Sequence, residues 1–219
     1  EYNCNGQGKE SFIDFEDLDF NQEEQAEDCL EDETGECHLK YMLDKVVFEA
    51  RVQKKTYTSV EKGDDGKYHL FYSRWKNECK FTGWLTHSEI AHAVSDSPAG
   101  PWKFKQTALK SHGKGNWDAI TAHNPKIKLF DGNYYLYYIS TNLGENDYTE
   151  AELIETAKTG YSHPNWKILR SNQRTGVAVA KSLNSPWKRM NKPLIEPSGP
   201  ITTLTVNPAI DRGKDGKFY

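Results

Sequence analysis

A repeated hairpin constrains the fold of this chain more than any other sequence feature. The segments HNPKIKLF and NYYLYYIS flank Asp131 and the glycine after it, and Asp-Gly between arms rich in β-branched and aromatic residues is typical of a tight β-hairpin. The same order occurs in TSVEKGDDGKYHLFYS around Asp65 and in VNPAIDRGKDGKFY around Asp215. The chain is therefore expected to contain three related hairpins.

A second sequence segment recurs after each of the first two hairpins. The segment IAHAVSDSPAGPWKF returns as GVAVAKSLNSPWKRM, so each unit contains a hairpin, a loop, a strand, a short turn and another strand. Four antiparallel strands per unit indicate the blades of an all-β propeller, whereas hairpins alone could also build a sandwich. Blade one is expected at about 57–107 and blade two at about 122–190, and blade three begins near residue 205. This is a partial propeller of about two and a half blades, with a strand at 45–55 that leads into the first blade or closes the ring.

A short helix is expected in the insertion between residues 142 and 174. Thr149 is followed three residues later by Glu152, which is a capping-box pattern, and Gly160 stands where the helix would end. The expected helix has a modest apolar stripe, formed by Ala151, Ile154 and Ala157. We therefore expect it to pack loosely on the rim of the propeller.

The first 44 residues differ from the remainder in charge. Residues 1–40 contain fourteen Asp and Glu against Lys9 and Lys40, whereas the whole chain has a net charge of −4. An acidic, aromatic-poor segment of this kind cannot bury enough apolar surface to order itself. We interpret residues 1–44 as a poorly ordered arm and residues 45–219 as the propeller domain. An arm that lies across the basic body, or that binds calcium, is the alternative.

The cysteines and the hydropathy bear on the cellular compartment. Cys4, Cys29, Cys37 and Cys79 show no C-x-x-C spacing, so a zinc site is not indicated. Three of them fall in the acidic arm, where disulfides would add most to stability, and we expect an extracellular, secreted protein; reduced thiols are the alternative. No run is long and apolar enough to span a membrane, and we expect neither a membrane nor a nucleic-acid partner.

Propeller geometry assigns the loops to two faces. If the first strand of each blade begins at the upper mouth of the central channel, the Asp-Gly turns lie below and the loops after the second strands lie above. Flat aromatic faces around a concave mouth suit the C–H faces of a sugar ring, and rim packing is the alternative for each tryptophan taken singly. Four of the six tryptophans fall in upper loops, namely Trp75, Trp84, Trp117 and Trp166.

Polar residues in the same upper loops supply candidate catalytic and binding groups. We expect Asp118 and Glu89 to enter the mouth as carboxylates, with His123 assisting. Backbone hydrogen bonding within a loop is the alternative for each. The expected carbohydrate-binding set is Trp75, Trp84, Trp117, His87, Asn124, Arg174 and Asn207.

These motifs resemble a known family of enzymes. The segments THSEIAHAVSDSPAGPWKF, WDAITAHNPKI, YYLYYIS and NQRTGVAVAKSLNSPWKRMNKPLI look like those of five-bladed β-propeller glycoside hydrolases, most closely family 43 and its relatives in families 117 and 32. The resemblance covers about residues 57–219 and implies a glycosidase that degrades a complex carbohydrate. It implies no required cofactor. Some relatives carry calcium on the axis, which His123 with waters could hold here.

One departure from family 43 bears on catalysis. The resemblance implies that the first three blades begin with an Asp base, an Asp that tunes its pKa and a Glu acid. The matching positions here are residues 57–59, Asn124 and residues 206–207, and none is a carboxylate. Family 117 is similar in placing an Asp-containing segment before the second blade, where this chain has Trp117 and Asp118. Asp118 and Glu89 are therefore the candidate acid and base.

Three functions follow from the sequence. The first is a secreted glycoside hydrolase acting on a polysaccharide or oligosaccharide, anionic or sulfated if the basic body contributes to binding. The second is a carbohydrate-binding pseudoenzyme that keeps the aromatic mouth without the acid and base. The third is a propeller that serves as a protein-interaction platform. All three leave the oligomeric state open.

Overall fold

The computed structural model describes residues 30–31, 37–38, 58–75, 79–198 and 204–219. Its shortest sheet pairs β1 (Leu30–Glu31) with β2 (Cys37–His38) in antiparallel fashion. The strand expected at 45–55 lies outside the described residues, as does the expected acidic arm apart from this pair.

Blade 1 is a four-stranded antiparallel sheet in which each strand pairs with its neighbour in the chain. It contains β3 (Thr58–Lys62), β4 (Tyr68–Arg74), β5 (Glu89–Ser95) and β6 (Lys103–Leu109), in that order across the sheet. In the turn between β3 and β4, Asp65 Oδ1 accepts a hydrogen bond from the Lys67 amide at 3.1 Å and Gly66 has φ of 78°. This left-handed position explains the glycine of the Asp-Gly pair.

Blade 2 repeats the arrangement and contains the helical insertion. Its strands are β7 (His123–Phe130), β8 (Asn133–Thr141), β9 (Gln173–Ala180) and β10 (Lys188–Arg189), again in sequential order.

A third Asp-Gly turn, at Asp215, is enclosed by an isolated bridge between Arg212 and Phe218. The antiparallel four-stranded units and the three turns are thus confirmed, and the number of five blades stays a prediction.

The two blades pack face to face through an apolar core. Side chains alternate along β4, so Phe71 faces blade 2 while Leu70 and Tyr72 belong to a cluster on the other face of blade 1. The inner strand β7 lies against β3 and β4. Burial of each large apolar side chain here contributes about 1.5–3 kcal/mol. The core between the blades consists of Phe71, Ile90, Leu109, Ala122, Ile127, Tyr134, Leu136, Tyr138, Ala178 and Leu183.

The insertion forms two helices rather than one. Helix α1 (Glu150–Thr159) begins with the expected capping box of Thr149 and Glu152, and Gly160 ends it. Helix α2 (Pro164–Ser171) was not anticipated from the sequence. Neither is long and apolar enough to cross a membrane, and no other helix in the described residues is either.

The expected apolar stripe of α1 is only partly correct. Ala157 is buried as expected, whereas Ala151 is exposed, and the other buried positions are Leu153 and Thr156. Leu153 joins a second cluster with Leu85, which lies in a 3-10 helix (Phe81–Leu85). The helix is therefore packed into the blade and not loosely attached, because a leucine one position away from the expected stripe supplies the apolar contact.

Three hydrogen-bonded side chains cross the lower part of blade 1. His69 and His92 are fully buried, with His69 Nδ1 lying 2.8 Å from His92 Nε2. His69 Nε2 lies 3.0 Å from Asp65 Oδ1, and Asn184 of blade 2 donates to Asp65 Oδ2 at 3.1 Å. The turn of blade 1 is thereby linked both to its own interior and to the next blade.

The environment of this cluster favours the neutral form of His92. Burial lowers the pKa of His92 to about 3, with His69 and Lys105 adding to the shift and Asp65 opposing it. The hydrogen bond from His69 likewise holds the pKa of Asp65 well below its usual range. Both groups bind a proton more readily in the unfolded chain than in the native one.

We expect the free energy of unfolding to fall as the pH is lowered from 6.5, the ordinary pKa of histidine, towards about 3. In this window the unfolded chain binds a proton that native His92 excludes, so stability is fully present above it and declines by at most about 1.4 kcal/mol per pH unit for that proton. Asp65 adds to the loss below about pH 4. Urea unfolding measured at several pH values gives the slope.

The variant His92→Leu should be less dependent on pH than the native chain between about pH 6.5 and pH 4, since it lacks the excluded proton. His163→Asn is the matched control. It removes a histidine that caps α2 and retains a side chain suited to an N-cap. An unchanged slope in His92→Leu would contradict the assignment to His92.

Candidate functional site

The candidate site is a pair of asparagines at the end of the blades opposite the Asp-Gly turns. Asn124 is the second residue of β7, and Asn207 takes the matching place before the third turn. Asn124 Nδ2 donates a hydrogen bond to Asn207 Oδ1 at 3.0 Å. The two repeats therefore bring equivalent side chains into contact, and we call them the asparagine pair.

The backbone of the asparagine pair is unusual. Asn124 has φ of 52° and Asn207 has φ of 53°, and a proline follows each. Asparagine is one of the few L-residues that enters the left-handed region readily, and a residue before proline is normally held in extended conformations. Such conformations cost on the order of 1–3 kcal/mol each and concentrate at ligand sites. The repeated Asn-Pro is thus a costly feature that the fold keeps twice.

A β-bulge and a hydroxyl group position Asn124. The register of β7 against β8 shifts between His123, which pairs with Ile139, and Lys126, which pairs with Tyr137. Bulges redirect side chains at the ends of sheets. Ser73 Oγ, at the end of β4, accepts a hydrogen bond from the Asn124 amide at 2.8 Å. Asn124 is therefore held by blade 1 as well as by its own strand.

His123 lies behind the asparagine pair and is 2% exposed. Its Nε2 lies 3.0 Å from Gln173 Nε2, at the start of β9, and its ring meets the Trp84 ring edge-on with centroids 5.4 Å apart. Burial lowers the pKa of His123 to about 4, and a hydrogen bond with the Asn124 side chain opposes that shift. His123 is therefore neutral at physiological pH, and its catalytic assistance stays a prediction.

Asp118 is fully buried and has three side-chain partners. Its Oδ1 accepts from His112 Nδ1 at 2.9 Å, and its Oδ2 accepts from Tyr138 Oη at 2.9 Å and from the Arg189 guanidinium at 2.6 Å. These contacts join the loop before β7 to β8 and β10. The surroundings of Asp118 favour a structural role, because a carboxylate whose oxygens are all engaged is poorly placed to exchange protons with a ligand.

Glu89 lies in blade 1 and not beside Asp118. Glu89 Oε1 accepts from the Arg74 guanidinium at 2.6 Å and from Thr107 Oγ1 at 3.0 Å. These partners come from β4 and β6, whereas those of Asp118 lie in blade 2 and the loop before it. In the described part of the chain the two carboxylates share no hydrogen-bonding side chain. Their assignment as the acid and base stays a prediction that these contacts do not favour.

Three of the remaining expected binding residues are engaged in local packing. The indole nitrogen of Trp75 donates to the Lys80 carbonyl at 2.7 Å, and that of Trp117 donates to the Met190 carbonyl at 3.0 Å. Arg174 Nε donates to Glu196 Oε2 at 3.0 Å. These side chains are directed into contacts with their own blades.

The helical insertion engages the other aromatic and imidazole candidates. His87 Nε2 lies 3.4 Å from Glu150 Oε1 at the start of α1. Trp166 is 3% exposed in α2 and packs edge-on against Trp84, with centroids 5.5 Å apart. The expectation that Trp166 lies open at the mouth is therefore corrected, because α2 turns it into the apolar cluster.

The structure thus brings together part of the expected set. Asn124 contacts Asn207, and His123, its neighbour in the chain, contacts Trp84. In the residues the structure describes, no group of three or more His, Cys, Asp and Glu side chains could hold a metal ion, and the axial calcium stays a prediction.

Sequence reasoning missed two residues that hold the site. Gln173 contacts His123 directly, and Ser73 contacts Asn124. Both lie in repeated or family-like segments of the sequence, but nothing in those segments marks either as a site residue. The only sequence signal for them was their position: Ser73 lies near the end of β4 and Gln173 at the start of β9, at the same end of the strands as the asparagine pair.

Comparisons with known proteins concern the fold. Neither a family model nor a curated protein sequence matches the chain. Solved structures of families 43 and 117 are among those to which it is similar, as the sequence motifs led us to expect. The sequence identity in these comparisons is 20% or lower.

Three solved structures illustrate the similarity. A family 43 β-xylosidase/α-arabinofuranosidase from a compost microbial metagenome, in complex with xylotriose, has 20% identity and a TM-score of 0.45, over 74% of this chain and 40% of that one. A family 117 glycoside hydrolase of the marine bacterium Zobellia galactanivorans has 18% identity and a TM-score of 0.42, over 72% and 36%. An endo-arabinase of Bacteroides thetaiotaomicron has 16% identity and a TM-score of 0.46, over 74% and 43%. The chain therefore spans less than half the length of the structures it matches.

The buried contacts of Asp118 predict a stability effect. We expect Asp118→Asn to lower the free energy of unfolding by about 3 kcal/mol, because Arg189 loses its partner in a buried setting. Asp147→Asn is the control: Asp147 pairs with Lys114 at the surface, where both side chains are about 70% exposed, and less than about 1 kcal/mol should be lost. Urea unfolding of both variants measures the difference. Native-like stability of Asp118→Asn together with lost turnover on a glycan would instead identify Asp118 as catalytic.

Proposed function

We propose that this chain forms part of a carbohydrate-active propeller in which the asparagine pair binds a sugar. The observation that carries the proposal is the pair itself. Two asparagines at equivalent positions of the repeat have their backbones in the left-handed region, and their side chains are hydrogen-bonded to each other at 3.0 Å. Strained backbone conformations of this kind concentrate at ligand sites, and here one recurs at the same place in two repeats.

Amide groups and a nearby indole suit a sugar chemically. A carboxamide offers both N–H donors and a carbonyl acceptor, and a sugar ring carries hydroxyl groups that do the same along its edge. Trp84 is partly buried, and its ring contacts that of His123, the residue before Asn124. Aromatic faces contribute most where a ligand presents C–H groups. The proposed ligand is therefore a carbohydrate bound through its hydroxyl edge.

For the whole protein we propose glycoside hydrolysis of an oligosaccharide or polysaccharide, outside the cell. The residues described here would bind and orient the substrate in that reaction. Hydrolysis of a glycosidic bond requires two carboxyl groups on either side of it, separated by about 5–5.5 Å for retention and about 6.5–9.5 Å for inversion. Asp118 and Glu89 are occupied by cationic partners in different blades, so we assign them to the scaffold of the site.

A second candidate is a carbohydrate-binding protein without turnover. It is favoured by the presence of Asn124 and Asn207 where the resemblance to family 43 implies carboxylates. An amide cannot exchange protons as a general acid or base. Binding and turnover therefore have to be measured separately.

A neutral glycan suits this site better than a sulfated one. Three arginines around the candidate site are paired with carboxylates: Arg74 with Glu89, Arg174 with Glu196 and Arg189 with Asp118. A paired guanidinium contributes little net positive charge to a ligand. We therefore propose neutral oligosaccharides as the first ligands to test.

The test distinguishes the contribution of the side-chain amides to ligand binding from that of the backbone conformation. Asn207→Gly retains a residue that adopts positive φ readily and removes the side-chain amide. We expect the dissociation constant for a bound oligosaccharide, measured by calorimetry, to rise about tenfold, which corresponds to about one or two hydrogen bonds. Asn133→Gly is the control, because Asn133 lies at the opposite end of the β7–β8 hairpin.

Two results would overturn the proposal. One is the absence of binding by the native protein across a broad panel of neutral and anionic oligosaccharides. The other is binding that neither Asn207→Gly nor Asn124→Gly weakens. Measurable binding without release of sugar from any glycan would favour the non-hydrolytic candidate.

A further inference from the structure

We propose that the outer edge of the two blades binds the acidic segment 10–28 of the same chain. The surface is formed by exposed lysines on the outermost strands of both blades, and we call it the outer basic band. The inference does not depend on whether the asparagine pair binds a sugar. The band consists of Lys103, Lys105, Lys110, Lys181, Lys188 and Lys192.

Two contacts join the outer edges of the blades into one surface. Strand β6 is the outermost strand of blade 1, and β10 is the outermost strand of blade 2. Lys105 Nζ donates a hydrogen bond to Asn184 Oδ1, in the turn before β10, at 2.5 Å. Arg189 Nη2, in β10, donates to the Lys110 carbonyl at 2.6 Å. The lysines of the two blades therefore lie along a single edge.

The edge of blade 2 continues past the end of β10. The Met190 amide donates to the Val177 carbonyl at 3.2 Å, and the Leu194 amide donates to the Thr175 carbonyl at 2.8 Å. The segment between these contacts runs beside β9 and carries the exposed Lys192. The band thus extends over the whole height of the second blade.

The charge of the outer basic band is not neutralised by its surroundings. Residues 97–117 and 175–195 contain no Asp or Glu. In the part of the chain that the structure describes, none of the six lysines forms an ion pair with a carboxylate. The carboxylates that border the band, Asp65, Asp118 and Glu196, already accept hydrogen bonds from other side chains. The band therefore presents positive charge that a polyanion can neutralise.

The complementary charge is present in the same chain. Residues 10–28 contain nine Asp and Glu and no Lys or Arg, and they lie outside the described residues. Such a segment has too little apolar surface to form a core of its own. A lysine ammonium is a compact charge without a fixed binding geometry. It therefore suits irregularly spaced carboxylates better than a paired arginine does.

The chain is long enough for this contact. Strand β2 ends at His38 and β3 begins at Thr58, and the 19 residues from 39 to 57 can span up to about 60 Å. Strands β3 and β6 are the two edges of blade 1, which places them about 15 Å apart. A tether of this kind gives a millimolar effective concentration. At micromolar protein the segment should therefore bind the band of its own chain before that of another copy.

Zero-length carbodiimide cross-linking of the full native chain tests the contact, because it joins only carboxylates and amines that touch. At micromolar protein we expect cross-links between carboxylates of residues 10–28 and the lysines of the band, identified by mass spectrometry in the monomer. Their yield should fall about tenfold between about 20 mM and about 500 mM salt, since exposed ion pairs are screened. Lys158 and Lys167, exposed on the helices, should give few such cross-links.

A triple variant tests which lysines hold the segment. With Lys103→Gln, Lys105→Gln and Lys188→Gln combined, the yield of cross-links from residues 10–28 to Lys110 and Lys192 should fall about tenfold, because three exposed ion pairs are lost.

The matched control removes the same charge from the helical insertion. It combines Lys158→Gln, Lys167→Gln and Arg170→Gln, all at exposed positions of α1 and α2, and should leave the yield unchanged. An equal fall in the control would contradict a specific role for the band.

Three further results would overturn the proposal. The first is that residues 10–28 cross-link to Lys158 and Lys167 as readily as to the band. The second is that the cross-links form only between two copies. The third is that residues 10–28 give no cross-link, while the native protein binds a sulfated oligosaccharide that the triple variant does not bind; the band would then serve an external polyanion. None of these measurements involves the asparagine pair, so the proposed function stands or falls separately.

Discussion

The packing of the second blade's inner strand on the first blade is the interaction on which the candidate site depends. Strand β7 is fixed against β3 and β4 by the apolar core and by two serine hydroxyls, since Ser59 accepts from the Ile127 amide at 3.1 Å and Ser73 from the Asn124 amide at 2.8 Å. Backbone amides of an inner strand have no further strand to bond with on that side, and a buried unpaired amide is costly. The serines meet that need and at the same time fix where Asn124 lies. The geometry of the site is thus a consequence of how two blades join.

The carboxylates show why residue type and loop position alone do not define a catalytic group. Asp118 was selected because its loop precedes β7, and its loop does lie there, but its side chain turns inward to Tyr138 and Arg189. A carboxylate in an apolar setting is stable only when it is paired or hydrogen-bonded. Because Asp118 is buried, its carboxylate needs these partners, and the partners occupy the oxygens that a substrate would have to contact. Asn207 is exposed and Asn124 is half-buried, so their amides stay closer to solvent than the Asp118 carboxylate.

Much of the architecture could be predicted from the sequence, because the signals were local. Asp-Gly turns, alternating arms and the Thr149–Glu152 capping box each specify a short segment, and the structure forms them at those positions. Helix α2 was missed because its apolar residues Trp166 and Leu169 are too few to show a helical period outside their tertiary cluster. Of the site, the Asn-Pro repeat was visible in the sequence. The contacts of Gln173 and Ser73 were not, since they join strand ends that are distant in the chain and depend on the stacking of blades.

The buried histidines of blade 1 also distinguish one repeat from the other. Blade 1 places Phe71 opposite His92, whereas blade 2 places Leu136 opposite Ala178 in its interior. Hairpins with similar turns could exchange places while the chain folds, a common failure of repeat proteins. A blade 1 hairpin in the wrong position would separate His69 from His92. It would also separate Asp65, which His69 contacts, from Asn184 of blade 2. Imidazole nitrogens would then be buried without these partners. Loss of these hydrogen bonds disfavours the exchanged arrangement, so the histidine pair distinguishes two repeats whose turns are alike.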